Sequence, residues 1–130
     1  DFLVTIATNQ SGVGRGYYDL ATLEKIHLKM TNELALVGGH LEGIYFCPHT
    51  PDDRCVCRKP RPGLLLKIAE NFGISLANAV FIGDSLRDVE AAQAVNCPAI
   101  FIHGHSNIPK LDSSVAVFAD LAEAAAYLLK

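Results

Sequence analysis

Four side chains with affinity for soft metals crowd into Cys47-Pro48-His49-Thr50-Pro51-Asp52-Asp53-Arg54-Cys55-Val56-Cys57. They come as two pairs, Cys47/His49 and Cys55/Cys57, each with one residue between its members. Three thiolates and an imidazole can close a tetrahedral zinc site, and a site whose positions are all filled by protein is structural rather than catalytic. A disulfide is the competing use of the thiols. Cys55 and Cys57 are too close in sequence for an easy bridge, and a stapled secreted fold would spread its cysteines more evenly. Cys97 stands alone and reads as a core residue.

Directly after the last of these ligands comes Arg58-Lys59-Pro60-Arg61-Pro62-Gly63. Cations held between a metal loop and two prolines are pre-organised for an anion, and arginine can grip phosphate through two parallel N–H groups. A solvated basic patch is the plainer alternative. In Gly83-Asp84-Ser85-Leu86-Arg87-Asp88, an acid that follows an apolar strand suits a Mg²⁺ ion shared with a substrate phosphate. Against that, Asp84 could be a helix N-cap and Asp88 a first-turn acid facing the helix dipole. Thr8-Asn9-Gln10-Ser11-Gly12-Val13-Gly14-Arg15-Gly16 could present backbone N–H groups to a phosphate, or simply connect two elements. It is not a dinucleotide fingerprint, because Tyr17 stands where the third glycine belongs, and no Gly-Lys-Ser/Thr makes it a P-loop. His27 and His40 read as surface or helix-end residues, and His103 and His105 have no assigned role.

The elements that must position these stretches alternate along the chain. Phe2 to Thr8 is an apolar, β-branched run that predicts a strand. Asp19 caps a helix carrying Leu20, Leu23, Ile26, Met30, Leu34 and Val37, and Gly38-Gly39 stops it. Ile44 to Phe46 is a short strand running into the cysteine loop. Pro62-Gly63 opens a helix through Leu65, Ile68, Ala69 and Phe72 that Gly73 closes. Ala79 to Ile82 is a strand, Leu86 to Val95 a helix, Ala99 to Ile102 a strand, and Val115 to Ala119 an edge strand. Asp120 and Glu123 form a capping box for a last helix. This alternation predicts an α/β fold, an open doubly wound parallel sheet with ligands beyond the carboxyl ends of its strands. Thr8 to Ser11, Cys47 onward and Gly83 to Ser85 all fall there.

Composition narrows the partners. A chain of 130 residues, 50% hydrophobic and 19% charged, suits one soluble domain with one core. Eleven basic and fourteen acidic residues give a net charge of -3, which argues against general nucleic-acid or membrane-surface binding. The basic run also lacks aromatics to stack bases, and the loop before it carries Asp52 and Asp53. No apolar run approaches the ~20 residues of a membrane span. Nothing basic opens a signal peptide, so a cytoplasmic monomer is expected.

Together, strand-Thr8-Asn9-Gln10-Ser11-Gly12, the Cys47–Cys57 loop with Arg58-Lys59-Pro60-Arg61-Pro62-Gly63, and Ile82-Gly83-Asp84-Ser85-Leu86-Arg87-Asp88 resemble the haloacid dehalogenase superfamily of phosphatases. The likeness runs from about Leu3 to Ile102. It implies a Rossmann-like domain over residues 1–130, capless, with the zinc loop as a partial lid. Only one helix, one strand and that loop separate Thr8 from Lys59, which leaves no room for a cap domain. It also implies a Mg²⁺-dependent phosphomonoesterase with a structural Zn²⁺ on Cys47, His49, Cys55 and Cys57, acting on a small phosphorylated sugar. The likeness is greatest to the branch that removes the 7-phosphate of D-glycero-D-manno-heptose 1,7-bisphosphate in lipopolysaccharide heptose biosynthesis. The rival enzyme reading is histidinol-phosphate phosphatase, which shares the zinc loop but usually carries an acid where Ser11 stands and lacks the Pro62-Gly63 continuation.

By that resemblance Thr8 is the phosphate-binding hydroxyl, and Asn9, Gln10 and Ser11 line the substrate. Arg58 and Lys59 hold the transferring phosphoryl, and Asp84 binds Mg²⁺. Ser85 stands where some members place a substrate-contacting lysine. The superfamily's nucleophile is an aspartate of a DxDGT-like motif on the central strand, ahead of all these segments. Asp1 begins the strand that ends at Thr8, roughly 20 Å away at about 3.3 Å per residue, too far to serve. A sheet short of its middle strand would also expose apolar edges. The expectation is therefore a domain whose first strand and nucleophile lie upstream of Asp1, inactive on its own. A zinc-stabilised, non-catalytic binding module is the alternative of another class.

Overall fold

Every strand pairing among the described residues, 2–130 of the computed structural model, is parallel. Asp1, set aside above as a nucleophile, lies outside them. The strands form two sheets, and the chain divides into two compact units, Asp1–Arg58 and Lys59–Lys130, with one sheet in each. Strand-helix alternation thus gives the parallel α/β architecture that it predicts.

In the first unit β1 (Thr5–Asn9) lies beside β2 (Gly43–Cys47), Thr5 opposite Gly43 and Asn9 opposite Cys47. The crossover between them contains α2 (Leu20–Leu36), so both strands end at the same edge, where the polar segments begin. Asp19 caps α2 by accepting the Thr22 N–H at 2.8 Å. The strand expected over Phe2 to Thr8 starts later. β2 begins only at Gly43, so among the described residues Phe2 to Val4 have no ladder partner and stay exposed, apart from Glu42 N–H donating to the Val4 carbonyl. The glycine-rich segment after β1 is not a plain connection either. It contains a helical turn, α1 (Ser11–Gly14), tied to the cysteine loop by Gln10 N–H to Cys47 O (2.7 Å) and Gly14 N–H to Pro48 O (2.9 Å).

The second unit has strand order β3-β4-β5, from β3 (Phe81–Gly83), β4 (Ala99–Ile102) and β5 (Ala116–Phe118). Its helices are α3 (Gly63–Phe72), α4 (Leu86–Ala94) and α5 (Leu121–Leu128). α4 packs on β3 and β4, and α5 on β4 and β5. Leu64, Leu65 and Ile68 of α3, Val89 of α4, and Ile100 and Phe101 of β4 are buried core residues. β3 starts two residues later than expected because a 3₁₀ turn, Leu76–Asn78, takes up the chain ahead of it. The capping box before α5 is shifted as well. Asp120 accepts the Glu123 N–H, but the Glu123 carboxylate reaches back to the Ala119 N–H instead of Asp120's own. No helix among the described residues is long and apolar enough to cross a membrane.

Candidate active site

Cys47 is delivered by the last position of β2, fully buried, and the chain then turns so that three more ligands face it. Cys47 Sγ lies 3.4 Å from His49 Nδ1 and 3.4 Å from Cys55 Sγ, and His49 Nδ1 lies 3.3 Å from Cys57 Sγ. All four ligand atoms are within 4.8 Å of one another. An ion with tetrahedral bonds of about 2.3 Å to sulfur and about 2.0–2.1 Å to nitrogen sets its ligands about 3.5–3.8 Å apart, so the cluster has nearly the dimensions of a zinc site. The capping box of the Pro51–Asp53 turn holds the loop: Thr50 N–H donates to Asp53 at 2.8 Å.

The thiols cannot all ionise side by side. Burial raises Cys47. Burial, then hydrogen bonds and charge from Cys47 and Cys55, push Cys57 up to about 12. At Cys55 burial opposes ionisation, but hydrogen bonds from Cys47, the Arg58 and Cys57 amides and the Cys57 thiol outweigh it and bring the group down to about 6. Such a cluster fits a dication that holds all its thiols as thiolates.

The first unit also carries Thr8 and Asn9 at the end of β1, then Gln10 and Ser11. Gln10 Nε2 donates to Thr8 Oγ1 at 3.2 Å, and Gln10 Oε1 accepts from Tyr18 Oη at 2.6 Å. Ser11 Oγ accepts from Arg15 Nε at 3.4 Å. Arg58 Nη1 is buried without a hydrogen-bond partner among the described residues. A buried cationic donor in that state costs on the order of 1–3 kcal/mol or more, a cost that an anion accepting from it would remove.

In the second unit Lys59 meets Asp88, the acid for which facing the helix dipole was the plainer alternative. Lys59 Nζ lies 2.6 Å from Asp88 Oδ1, with the two side chains 13% and 7% exposed. Nζ also lies 5.6 Å from the centre of the Phe81 ring. The other carboxylate oxygen of Asp88 accepts the N–H groups of Asp84 and Ser85, each at 3.1 Å. One carboxylate therefore fixes both the lysine and the turn that presents Asp84. Gly83 leaves room for it, since a Cβ there would overlap the Asp88 carboxylate. The sequence signal for this was Ser85 with an acid three residues on, a capping box.

That box also resolves the alternative for Asp84. The N-cap of α4 is Ser85, whose hydroxyl accepts from Arg87 N–H at 3.2 Å. Asp84 is not the cap. Its carboxylate is exposed, makes no hydrogen bond or ion pair among the described residues, and follows β3 directly. A hard oxygen ligand of this kind fits Mg²⁺. Ser85, by contrast, spends its hydroxyl on the helix. Cys97 is buried, as expected for a core residue.

Residues 56–124 match a model of the HAD-hydrolase-like family. The D-glycero-beta-D-manno-heptose-1,7-bisphosphate 7-phosphatase of Pseudomonas aeruginosa is 44% identical over 131 residues, covering 98% of this chain and 74% of that protein. The enzyme of the same name from Bordetella bronchiseptica is 43% identical over 135 residues, covering 100% of this chain and 75% of that protein. Among solved structures, D,D-heptose 1,7-bisphosphate phosphatase from B. bronchiseptica, complexed with magnesium and phosphate, matches with a TM-score of 0.92 at 43% identity, over 98% of this chain and 74% of that one. The Burkholderia thailandensis enzyme matches with a TM-score of 0.71 at 34% identity, over 98% and 76%. With relatives at this identity running almost end to end along it, the chain belongs to the haloacid dehalogenase-like (HAD) hydrolase family.

Proposed function

We propose that this protein is a magnesium-dependent phosphomonoesterase that removes the 7-phosphate from D-glycero-D-manno-heptose 1,7-bisphosphate, a step of lipopolysaccharide heptose biosynthesis. The observation that carries this reading is the near end-to-end likeness, at 44% and 43% identity, to two enzymes of that name. The site chemistry agrees with it. An uncommitted acid after a strand, a fixed lysine and a guanidinium with one buried, unpartnered nitrogen are the groups that phosphoryl transfer uses.

In this reading Thr8 donates to a phosphoryl oxygen, and Asn9 and Ser11 border the sugar. Lys59 and Arg58 offset the charge that builds on the equatorial oxygens. Asp88 keeps Lys59 in place without touching substrate. Asp84 is the residue that would hold Mg²⁺, which supplies further charge compensation when bound. The attacking group is a carboxylate upstream of Asp1, which forms an aspartyl-phosphate as the P–O bond to the sugar breaks. The sugar oxygen takes a proton from a second acid two residues on, and that acid then activates water. Zinc on Cys47, His49, Cys55 and Cys57 would be structural, shaping a partial lid that favours a small substrate.

The test uses protein that carries the upstream aspartate, incubated with heptose 1,7-bisphosphate and Mg²⁺ and followed by ³¹P NMR. The resonance of the 7-phosphate is expected to convert to inorganic phosphate while the 1-phosphate persists. Release of the 1-phosphate first would overturn the assignment.

A further inference from the structure

We propose that Tyr18 is a positioning residue for phosphate binding, acting through Gln10 to keep the Thr8 hydroxyl free to donate to a phosphoryl oxygen. The proposal rests on the phosphatase reading and adds to it a residue that no sequence motif marked. Its parts all lie in the first unit. Tyr18 Oη donates to Gln10 Oε1 at 2.6 Å, and Gln10 Nε2 donates to Thr8 Oγ1 at 3.2 Å.

Direction is the point of this chain. A carboxamide has one end that accepts and one that donates. With the tyrosine proton on Oε1, the amino end of Gln10 must face Thr8. Thr8 Oγ1 then accepts from the glutamine, and its own proton is left for another partner. The acceptor it reaches, the Asn9 carbonyl, is 3.4 Å away, well beyond the roughly 2.7–2.8 Å of a good O–H···O bond. A hydroxyl held this way is primed to donate to an anion, and charge-assisted bonds of that kind are the strong ones. Gln10 is thereby moved from lining the substrate to orienting the group that does.

Gly12 makes the arrangement possible. A Cβ on that residue would overlap the Tyr18 ring, so its absence leaves the space in which the ring lies. Tyr17, next in the chain, is 77% exposed, and its side chain makes no hydrogen bond among the described residues. It is the natural control.

The experiment measures inhibition by inorganic phosphate, in the presence of Mg²⁺, of protein carrying the upstream aspartate. Tyr18→Phe is expected to raise the inhibition constant about three- to tenfold, the value of one hydrogen bond. Gln10→Glu is expected to raise it more than tenfold, because a carboxylate obliges Thr8 to donate inward. Tyr17→Phe should leave it unchanged. In a Thr8→Val background Tyr18→Phe should add less than a twofold change, since the tyrosine acts only through that hydroxyl. An equal loss in both backgrounds would make Tyr18 a structural residue and overturn the proposal. So would a Gln10→Glu enzyme that binds phosphate like wild type. If Tyr18→Phe lowers the melting temperature, Gln10→Glu, which keeps the tyrosine's acceptor, decides the matter. A wild-type protein that releases no phosphate overturns the phosphatase reading, and the relay's purpose with it; an active wild type with indifferent variants overturns the relay alone.

Discussion

Lys59 and Asp88 show how a side chain's role depends on a partner far away in sequence. Lys59 was recognisable from its company, a basic run behind a metal loop, but Asp88 was legible only as a member of the acidic stretch after a strand or as a first-turn acid. Its lysine lies 29 positions upstream, and local spacing carries no trace of that pairing. The pair makes two expectations. Lys59→Ala should cost roughly 2–4 kcal/mol in kcat/KM if, as proposed, this charge fixed in a partly dry site acts on the transferring phosphoryl. Arg61→Ala, past the proline, should change the rate less than tenfold. Asp88→Ala strips the lysine of its counter-ion and two amides of their acceptor, so it should cost about 3–5 kcal/mol in urea denaturation as well as activity. An Asp88→Ala protein as stable as wild type would mean that the carboxylate anchors nothing.

At the scale of elements, what was local in the sequence was legible. Asp19 capping α2, Gly73 ending α3 and the span of β4 follow from side chains within a turn of the boundary they set. What depended on a distant partner was not. β1 begins at Thr5 because β2 begins at Gly43, and α1 forms where the chain bonds to the cysteine loop. The Asp19 cap makes a pH expectation. The Thr22 side chain and then its N–H, hydrogen-bonded to the carboxyl, hold it below the usual 3.8. A lowered folded value means the stabilisation from the ionised cap is present above the ordinary value and is lost as pH falls through the lower one. Asp19→Ala should therefore melt lower than wild type at pH 7, with the difference shrinking as pH falls below 3.8. A difference that does not shrink there would assign the effect to packing. The cysteine loop makes another. Purified protein should contain about one zinc per chain, and Cys55→Ser should lose it. Stoichiometric zinc that survives that substitution would contradict the ligand set.

Over the whole molecule, the two units differ in how much core each has. In residues 2–58 Leu23 and Cys47 are buried, whereas in the second unit buried residues run from α3 through α4 and β4 to α5. A two-stranded sheet with so little core needs a staple, and the Cys47, His49, Cys55 and Cys57 cluster, which could hold a metal ion, sits where β2 ends. Removing zinc should accordingly speed amide hydrogen exchange in β1 and β2 and leave β3, β4 and β5 unchanged. Catalysis on the heptose bisphosphate is open to one decisive comparison. Protein carrying the upstream aspartate is assayed for phosphate release from heptose 1,7-bisphosphate and from histidinol phosphate, with Mg²⁺ and with chelator. The expected result is Mg²⁺-dependent turnover with kcat/KM for the heptose bisphosphate at least a hundredfold higher. A preference for histidinol phosphate, or no release from either, would contradict it.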